Sequence, residues 1–183
     1  MIVDPLYKFQ DEPLKSIDFI KRRVILLTSH RRENFGEPMT NIFSACRHLV
    51  ETNSDVELIY PVHPNPNVQK TANEILAGVP RVHLIEPMEY RPFVQLMSKA
   101  YLILTDSGGV QEEAPTLGKP VLVLRKTTER PEAIDAGTAK LVGTDKDKII
   151  STAQRLISDK QAYIEMSTKA NPYGDGKSAK RII

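Results

Sequence analysis

The sequence predicts an α/β fold of the Rossmann-like type, with a doubly wound parallel sheet and helices on both of its faces. Two observations carry this prediction: short apolar runs rich in branched residues recur along the chain, and apolar residues at helical spacing fill the segments between them. Such runs are typical of strands buried on both faces of a parallel sheet and joined by right-handed crossovers. The length of 183 residues corresponds to roughly one domain of about 150 residues, which argues against a large two-domain enzyme within this chain.

Six segments have the composition of buried strands. The first, residues 24–28, reads VILLT, and the others are 56–61, 82–85, 101–105, 120–124 and 140–142. Residues 1–23 mix charged residues, prolines and isolated apolar residues without helical or strand periodicity. They therefore predict a connector, followed by one domain over residues 24–183.

Six further segments predict helices. Residues 38–50 begin with a proline, whose missing N–H is tolerated at a helix start, and carry five apolar residues at helical spacing. The other predicted helices are 67–76, 91–100, 109–117, 146–158 and 161–169. Proline and glycine predict a loop at 171–177, and residues 178–183 have the composition of a helix that has just begun.

Composition and charge narrow the classes of partner. Lysine and arginine total 25 against 23 aspartates and glutamates, so the net charge of +2 is too small to predict a general nucleic-acid or membrane-surface binder. No apolar run approaches the ~18 residues that a membrane helix needs. The single cysteine, Cys46, excludes an internal disulfide, and residues 1–10 lack the pattern of a signal peptide. These observations predict a cytoplasmic protein.

Polar residues concentrate directly after the predicted strands. The segments are 29–34 (SHRREN), 63–66 (HPNP), 106–109 (DSGG) and 125–132 (RKTTERPE). In an open parallel sheet, ligands bind outside the carboxyl ends of the strands. We therefore expect these four segments to meet at one edge of the sheet and to form the functional site.

The glycine turn after the fourth strand is the sharpest of these signals. Ser107, Gly108 and Gly109 lead from a buried strand into a helix, where small residues allow close approach of a ligand and unpaired N–H groups attract an anion such as phosphate. Glu113, about one turn into that helix, can accept hydrogen bonds from sugar hydroxyls. The alternative is that Ser107 caps the helix, the glycines form a tight turn and the carboxylate favours the helix N-terminus.

Candidates for ligand contact also occur at three other places in the sequence, five residues in all. His30, Arg31 and Arg32 supply two fixed cations and one titratable group, which suits a diphosphate, although a solvated basic loop paired with a neighbouring glutamate is an alternative. His63 lies between prolines and can equally be a solvent-facing residue of a rigid turn. Phe93 can pack flat against a base or belong to the core. All three assignments stay open on composition alone.

Several motifs that mark common catalytic and cofactor-binding sites are missing from the sequence. The sequence has no cysteine or histidine cluster at metal-ligand spacing, no G-x-S-x-G nucleophile elbow, no G-x-x-x-x-G-K-[ST] phosphate loop and no G-x-G-x-x-G. These absences argue against zinc-dependent, serine-hydrolase, kinase-type and nicotinamide-dependent chemistry.

Five motifs in order make the sequence resemble the bacterial non-hydrolysing UDP-N-acetylglucosamine 2-epimerases. The motifs are SHRREN at 29–34, YPVHPNP at 60–66, DSGGVQEEAP at 106–115, TERPE at 128–132 and NPYGDG at 171–176. The resemblance runs from about Val24 to the C-terminus, and five motifs at spacings that fit one family are far more specific than any one of them.

The resemblance implies the architecture and the reaction. It implies the C-terminal half of a GT-B fold, in which two Rossmann-like domains enclose a nucleotide sugar, so an N-terminal domain carrying most of the acid and base carboxylates is expected to be missing here. The family reaction interconverts UDP-N-acetylglucosamine and UDP-N-acetylmannosamine by eliminating UDP and adding it back, without a metal or a nicotinamide cofactor. A homodimer of the full-length enzyme and a role in polysaccharide biosynthesis are implied as well.

The resemblance also assigns the nucleotide-binding residues. It implies that Ser107, Gly108 and Gly109 hold the diphosphate, that Glu113 binds the ribose hydroxyls, and that Phe93 lies beside the uracil.

Further residues are implied around the sugar and in a second ligand site. His30 matches the family histidine implicated in substrate binding and catalysis. Arg31 and His63 match positions associated with a second UDP-N-acetylglucosamine, which activates the family from a site next to the substrate. Arg130 and Glu132 either contact ligand or order their loop.

Two other functions are compatible with the residues. The short chain could be a stand-alone nucleotide-sugar binding or regulatory module without catalysis. A retaining glycosyltransferase of GT-B architecture would share the glycine turn and the glutamate beyond it, but does not explain the segment 29–34. Sugar transfer to an acceptor without formation of an epimer would favour that reading.

Overall fold

A computed structural model of the chain describes residues 3–4, 6–10, 12–174 and 181. Its centre is a six-stranded sheet in which every neighbouring pair of strands is parallel, in the order β3-β2-β1-β4-β5-β6. The direction in which successive strands are added reverses at β1. Strands β2 and β3 lie on one side of β1, and β4, β5 and β6 lie on the other side. This arrangement confirms the predicted Rossmann-like α/β fold.

The six strands lie where the apolar runs predict them, and each end is within one residue of the expected position. They are β1 Arg23–Thr28, β2 Val56–Pro61, β3 Val82–Ile85, β4 Leu102–Thr105, β5 Val121–Val123 and β6 Ala139–Leu141. Burial explains this accuracy, since the central residues of β1, β4 and β5 are inaccessible to solvent on both faces of the sheet.

The helices follow the prediction with one addition and one correction. They are α1 Glu37–Thr52, α2 Pro66–Leu76, α3 Tyr90–Lys99, α4 Gly108–Glu113, α5 Pro131–Asp135, α6 Lys146–Ser158 and α7 Lys160–Ser167. The addition is α5, whose five residues are too few to show a helical period in the sequence.

The prediction of one continuous helix over residues 109–117 is wrong. The α-helix ends at Glu113, and Ala114–Leu117 form a 3-10 turn that stops at Gly118 with a φ of 64°. Pro115 causes the change, because it has no N–H to donate to the carbonyl of Gln111 and its ring crowds that carbonyl. Helix α4 is therefore a short element of six residues that follows β4.

Successive residues of the strands pack into two separate apolar layers. Ile25 and Leu27 of β1 face a layer with Phe43 of α1, whereas Leu26 between them faces a layer with Val94 of α3. Side chains of a strand alternate between the two faces of the sheet, so an apolar run without alternation must be covered on both sides.

The segment before β1 packs against the second layer. Phe9 and Leu14 are buried there, the described part of the segment has a 3-10 turn at Leu14–Ser16, and the backbone N–H of Asp4 donates to Oε1 of Gln95 at 2.9 Å. Its assignment as an interdomain connector stays a prediction.

The end of the chain is only partly described. Residues 171–174 form a turn, as expected for the start of the predicted loop at 171–177, and the remainder of that loop lies outside the described residues. The helix predicted to begin at 178 also lies outside them, apart from residue 181. Within the described part of the chain, no helix is both long enough and apolar enough to cross a membrane.

Candidate functional site

The segments that follow β1, β2 and β4 meet at the carboxyl edge of the sheet. There, the rings of His30 and His63 stack with their centroids 5.3 Å apart and their planes inclined by 15°. A cleft of about 260 Å³ opens beside them. Its lining consists of Thr28, Ser29, His30, Pro61, His63, Pro64, Pro87, Met88, Phe93, Ser107 and Val110. Four of the predicted site residues, His30, His63, Phe93 and Ser107, therefore share one cleft.

The glycine pair at the start of α4 has no conformational need for glycine. Neither residue is among those with positive φ, and a Cβ placed on Gly109 would meet nothing within 4 Å. Glycine in a helix costs about 1 kcal/mol relative to alanine, so the described protein gives no stability reason for it. The absent side chains instead leave the first N–H groups of α4 open to a ligand.

Ser107 precedes α4 at the N-cap position without capping it. Its side chain makes no capping hydrogen bond, while its backbone N–H donates to Oγ1 of Thr105 at 2.9 Å. The capping alternative considered from the sequence is therefore not what the structure shows. Ser107 is instead one of the residues that line the cleft.

Two arginines lie over the glycine turn. Nη2 of Arg31 and Nη2 of Arg130 are each 3.9 Å from the position that a Cβ of Gly108 would occupy. Arg31 is held by its Nε, which donates to the backbone carbonyl of Asp106 at 3.0 Å. Two guanidinium groups beside a helix start give this point a concentrated positive charge.

Each of these arginines also has a carboxylate partner. Nε of Arg130 donates to Glu112, and this bond raises the pKa of the guanidinium. Nη1 of Arg31 lies 3.8 Å from Glu129, which is largely exposed. The sequence left the partners of Arg130 open, because the residues that pair with it are brought together only by the fold.

Arg125 supplies a third cation that the sequence analysis did not assign. It is 5% exposed, its Nε donates to Glu33 at 2.7 Å, and its Nη2 lies 3.5 Å from Glu129. The hydrogen bond from Arg125 lowers the pKa of Glu33. The arginine partner expected for the glutamate of the segment 29–34 is thus Arg125, which lies in the loop after β5 rather than in the same loop.

Asp106 anchors the loop that carries His30. The side chain is inaccessible to solvent, and its Oδ2 accepts hydrogen bonds from Oγ of Ser29, from the backbone N–H groups of His30 and Arg31, and from Nδ2 of Asn34, at 2.9 to 3.1 Å. The sequence analysis missed this role because it treated the aspartate only as the start of the glycine turn. A carboxylate directly after the buried run LILT was the available signal.

The same loop is held from β2. The hydroxyl of Tyr60 donates to the backbone carbonyl of Ser29 at 2.6 Å. Burial, and then the nearby Asp106 carboxylate, raise the pKa of this hydroxyl. It therefore stays protonated and remains a donor.

Glu113 lies at the other end of α4, whereas Phe93 lines the cleft beside the start of that helix. Glu113, the last residue of that helix, accepts a hydrogen bond at 3.1 Å from the hydroxyl of Tyr90, which is 59% exposed. Phe93 is in α3 and is half-buried at the lining of the cleft. A carboxylate that accepts from an exposed phenol can exchange that partner for another hydroxyl group.

Residues of the last two sequence motifs form hydrogen bonds to α4, to the 3-10 turn that follows it and to α5. Thr128 Oγ1 donates to Oε1 of the buried Gln111 at 2.6 Å, and Gln111 Nε2 donates to the carbonyl of Ser107 at 3.1 Å. Asn171 Nδ2 donates to Thr116 Oγ1 at 2.6 Å, and the hydroxyl of Tyr173 accepts from the N–H of Ala133 at 3.2 Å. These contacts order the loops around the site. Glu132 itself is exposed at the start of α5.

The two remaining histidines lie away from this edge. His48 is exposed on α1, and Nε2 of His83 lies 2.7 Å from Oε2 of Glu57. Across the described ranges of the chain, no group of three or more His, Cys, Asp or Glu side chains is arranged to hold a metal ion.

Comparison with known proteins agrees with the motifs. Residues 3–183 match the family model described as UDP-N-acetylglucosamine 2-epimerase. The chain belongs to this family. The resemblance stated from the five motifs is therefore confirmed.

Relatives in other bacteria are similar along most of the chain. A UDP-N-acetylglucosamine 2-epimerase of Escherichia coli K12 is 52% identical over 178 residues, which are 96% of this chain and 47% of that protein. One from Bacillus subtilis is 55% identical over 161 residues, covering 88% of this chain and 42% of the relative. The chain thus spans about half the length of the curated relatives that it matches.

Solved structures of other proteins have the same fold as this chain. A UDP-N-acetylglucosamine 2-epimerase structure from Listeria monocytogenes superposes with a TM-score of 0.92 at 51% identity, over 98% of this chain and 47% of the other. The enzyme from Neisseria meningitidis, solved bound to UDP-GlcNAc, superposes with a TM-score of 0.85 at 53% identity, over 88% of this chain and 43% of the other. The C-terminal domain of a Francisella tularensis glycosyl transferase, 13% identical over 87% of this chain and 86% of its own, has a TM-score of 0.63 and shows a shared fold alone.

Proposed function

We propose that this chain is the nucleotide-binding half of an isomerase that interconverts UDP-N-acetylglucosamine and UDP-N-acetylmannosamine. One observation carries the proposal: Arg31, Arg130 and an open glycine turn meet beside the cleft that holds His30. A diphosphate needs cations and N–H donors together at a point that a ligand can reach closely, and this point supplies both.

The diphosphate is assigned to Ser107, Gly108 and Gly109. The Ser107 hydroxyl, freed from capping, and the first N–H groups of α4 are donors for its oxygens. Arg31 and Arg130 add positive charge from the side of Gly108. A ligand with two negative phosphate groups is expected to displace the carboxylate partners of these arginines, because exposed ion pairs are weak.

The uridine is assigned to Glu113 and Phe93. Glu113 is expected to accept hydrogen bonds from the ribose hydroxyls in place of its bond from Tyr90. Phe93, half-buried at the cleft lining, supplies an apolar ring against which the uracil can pack.

The proposed reaction is the elimination of UDP and its return to the sugar. The C2 proton leaves, the bond from C1 to the phosphate oxygen breaks, and a double bond forms between C1 and C2. Negative charge then develops on the departing phosphate oxygen, where donors already in position stabilise it. His30 lines the cleft and is the catalytic candidate of this chain. Reprotonation at C2 from the other face, followed by return of UDP, completes the epimerisation.

We assign the acid and base that act on C2 to a second domain of the GT-B architecture. The support is the length comparison, since the relatives carry about as much chain again. The chain by itself is then expected to bind UDP weakly and to show negligible epimerase activity. The full-length protein is proposed to be a cytoplasmic homodimer, and Arg31 and His63 are proposed to contact a second, activating UDP-N-acetylglucosamine.

The test is calorimetric titration of UDP into the wild-type chain and into Gly109→Ala. Because a Cβ at position 109 has room in the unliganded protein, this variant is expected to keep its stability and to lose about tenfold in UDP affinity through crowding of the phosphate, roughly 1.4 kcal/mol. Ser151→Ala, at an exposed position of α6, is the matched control. Equal affinities of the three proteins would show that the diphosphate is misplaced, and no binding at millimolar UDP would refute the proposal.

A further inference from the structure

One oxygen of the buried Asp106 carboxylate is not accounted for by the loop that it anchors. All four donors surround Oδ2, whereas Oδ1 is buried and has no hydrogen-bond partner within the described part of the chain. The nitrogen facing Oδ1 is Nδ1 of His30, at 3.6 Å. A buried polar atom without a partner is costly, so this arrangement needs an explanation.

The hydrogen bonds to Asp106 indicate which kind of group its second oxygen favours. All four bonds are accepted by Oδ2, and a carboxylate oxygen accepts hydrogen bonds rather than donating them. The histidine nitrogen that faces Oδ1 is favoured in its protonated N–H form. An unprotonated nitrogen would place its lone pair opposite the lone pairs of the carboxylate oxygen, which is repulsive. The separation of 3.6 Å is longer than a hydrogen bond, but catalytic hydrogen bonds are often long without ligand and shorten when it binds.

We propose that Asp106 is a positioning residue that holds His30 in the tautomer with the proton on Nδ1, so that Nε2 is the nitrogen offered to the ligand. In the neutral ring Nε2 then accepts a hydrogen bond, and in the imidazolium both nitrogens carry protons and Nε2 donates to a phosphate oxygen. The catalytic meaning of this orientation rests on the proposed function, whereas the tautomer itself does not.

The stacked partner of His30 has the opposite arrangement and serves as an internal control. The backbone N–H of Asn65 donates to Nδ1 of His63 at 3.1 Å, so the proton of the neutral His63 ring belongs on Nε2. Two parallel imidazole rings at 5.3 Å are therefore expected to carry their protons on different nitrogens. Solvent exposure alone would not produce that difference.

The variant Asp106→Asn reverses the interaction without removing the anchor. The asparagine oxygen can take the place of Oδ2 and keep its four donors, which leaves the amide NH₂ opposite Nδ1 of His30. A donor in that place favours a bare Nδ1 and moves the proton to Nε2. The same substitution at a histidine-orienting aspartate is known to produce the wrong tautomer.

The experiment is a long-range proton–nitrogen correlation spectrum of the ring nitrogens, recorded at about pH 8.5, above the ordinary histidine pKa of about 6.5. His30→Gln and His63→Gln assign the two rings. In wild type the resonance of an unprotonated ring nitrogen is expected at Nε2 of His30 and at Nδ1 of His63. In Asp106→Asn it is expected to move to Nδ1 of His30, while His63 is unchanged.

The wild-type spectrum decides the inference even if Asp106→Asn fails to fold. A wild-type His30 with its proton on Nε2, or averaged between the two nitrogens, would overturn it. Ser29→Ala is the matched control, since it removes one donor from Oδ2 but leaves the atom that faces His30, and the Nδ1–H tautomer should persist. Adding UDP to the same samples separates the two proposals: absence of UDP binding defeats the proposed function, whereas the tautomer is read without ligand.

Discussion

The two halves of the candidate site are built in different ways. The half formed by the loop after β1 is fixed by a buried carboxylate, with four donors on one oxygen of Asp106 and a further bond from Tyr60 to the loop backbone. The half formed by the guanidinium groups of Arg31 and Arg130 makes ion pairs to carboxylates that are partly or largely exposed, while Nε of Arg31 also donates to the backbone carbonyl of Asp106. Buried hydrogen bonds are costly to break, whereas exposed ion pairs exchange partners readily. The site therefore combines a rigid base for His30 with cations that are available to an incoming anion.

Removing the buried anchor should have the largest effect. Asp106→Ala leaves the hydroxyl of Ser29 and two backbone N–H groups without this acceptor and removes one of the two acceptors of the Asn34 amide, so we expect a loss of about 3–5 kcal/mol in the free energy of unfolding. Urea denaturation measures it. Glu129→Ala, which removes an exposed carboxylate from the same site, should cost less than about 0.5 kcal/mol. Comparable losses in the two variants would abolish the distinction between the halves.

Removing a carboxylate partner of Arg31 or Arg130 should strengthen UDP binding. Glu112→Gln and Glu129→Gln each take a competing carboxylate away from Arg130 or Arg31, so UDP affinity is expected to rise about two- to fivefold, equivalent to less than about 1 kcal/mol. The gain should be larger at low salt, because salt screens exposed charges. Calorimetry at two salt concentrations measures both effects. Weaker binding by both variants would mean that these glutamates order the arginines for the ligand.

The smallest effect concerns the pH dependence of the pair between Glu33 and Arg125. The pKa of Glu33 is lowered in the folded protein by the hydrogen bond from Arg125. Its stabilising contribution is therefore present above the ordinary glutamate pKa of about 4.3 and is lost as pH falls through the lower folded value. The stability advantage of wild type over Glu33→Gln should shrink between about pH 6 and pH 3. An advantage that grows on acidification would contradict the assignment of this pair.

The sequence predicted the sheet well because its strands are buried on both faces, which leaves a continuous apolar run such as VILLT. It also placed the polar segments at one edge, since parallel strands end together. The five-residue helix α5 and the change of helix type at Ala114 were not predicted, because the first is too short for a period and the second depends on the local effect of Pro115.

The contacts within the site were harder to predict than its location. His30, His63, Phe93 and Ser107 were all selected from the sequence, and the fold brings them to one cleft. The position of Arg130 over Gly108 and the ion pair from Arg125 to Glu33 join residues far apart in the chain. Periodicity and composition carry no information about such pairings, which depend on how the loops pack.

The most direct test of the account is an amide chemical-shift map of the chain recorded during titration with UDP. The largest changes are expected at Gly108, Gly109 and the loop of His30, with smaller ones near Glu113. Shifts confined to the cavity between β6, α6 and α7, which is lined by Lys140, Arg155 and Lys169, would place the nucleotide elsewhere and contradict it.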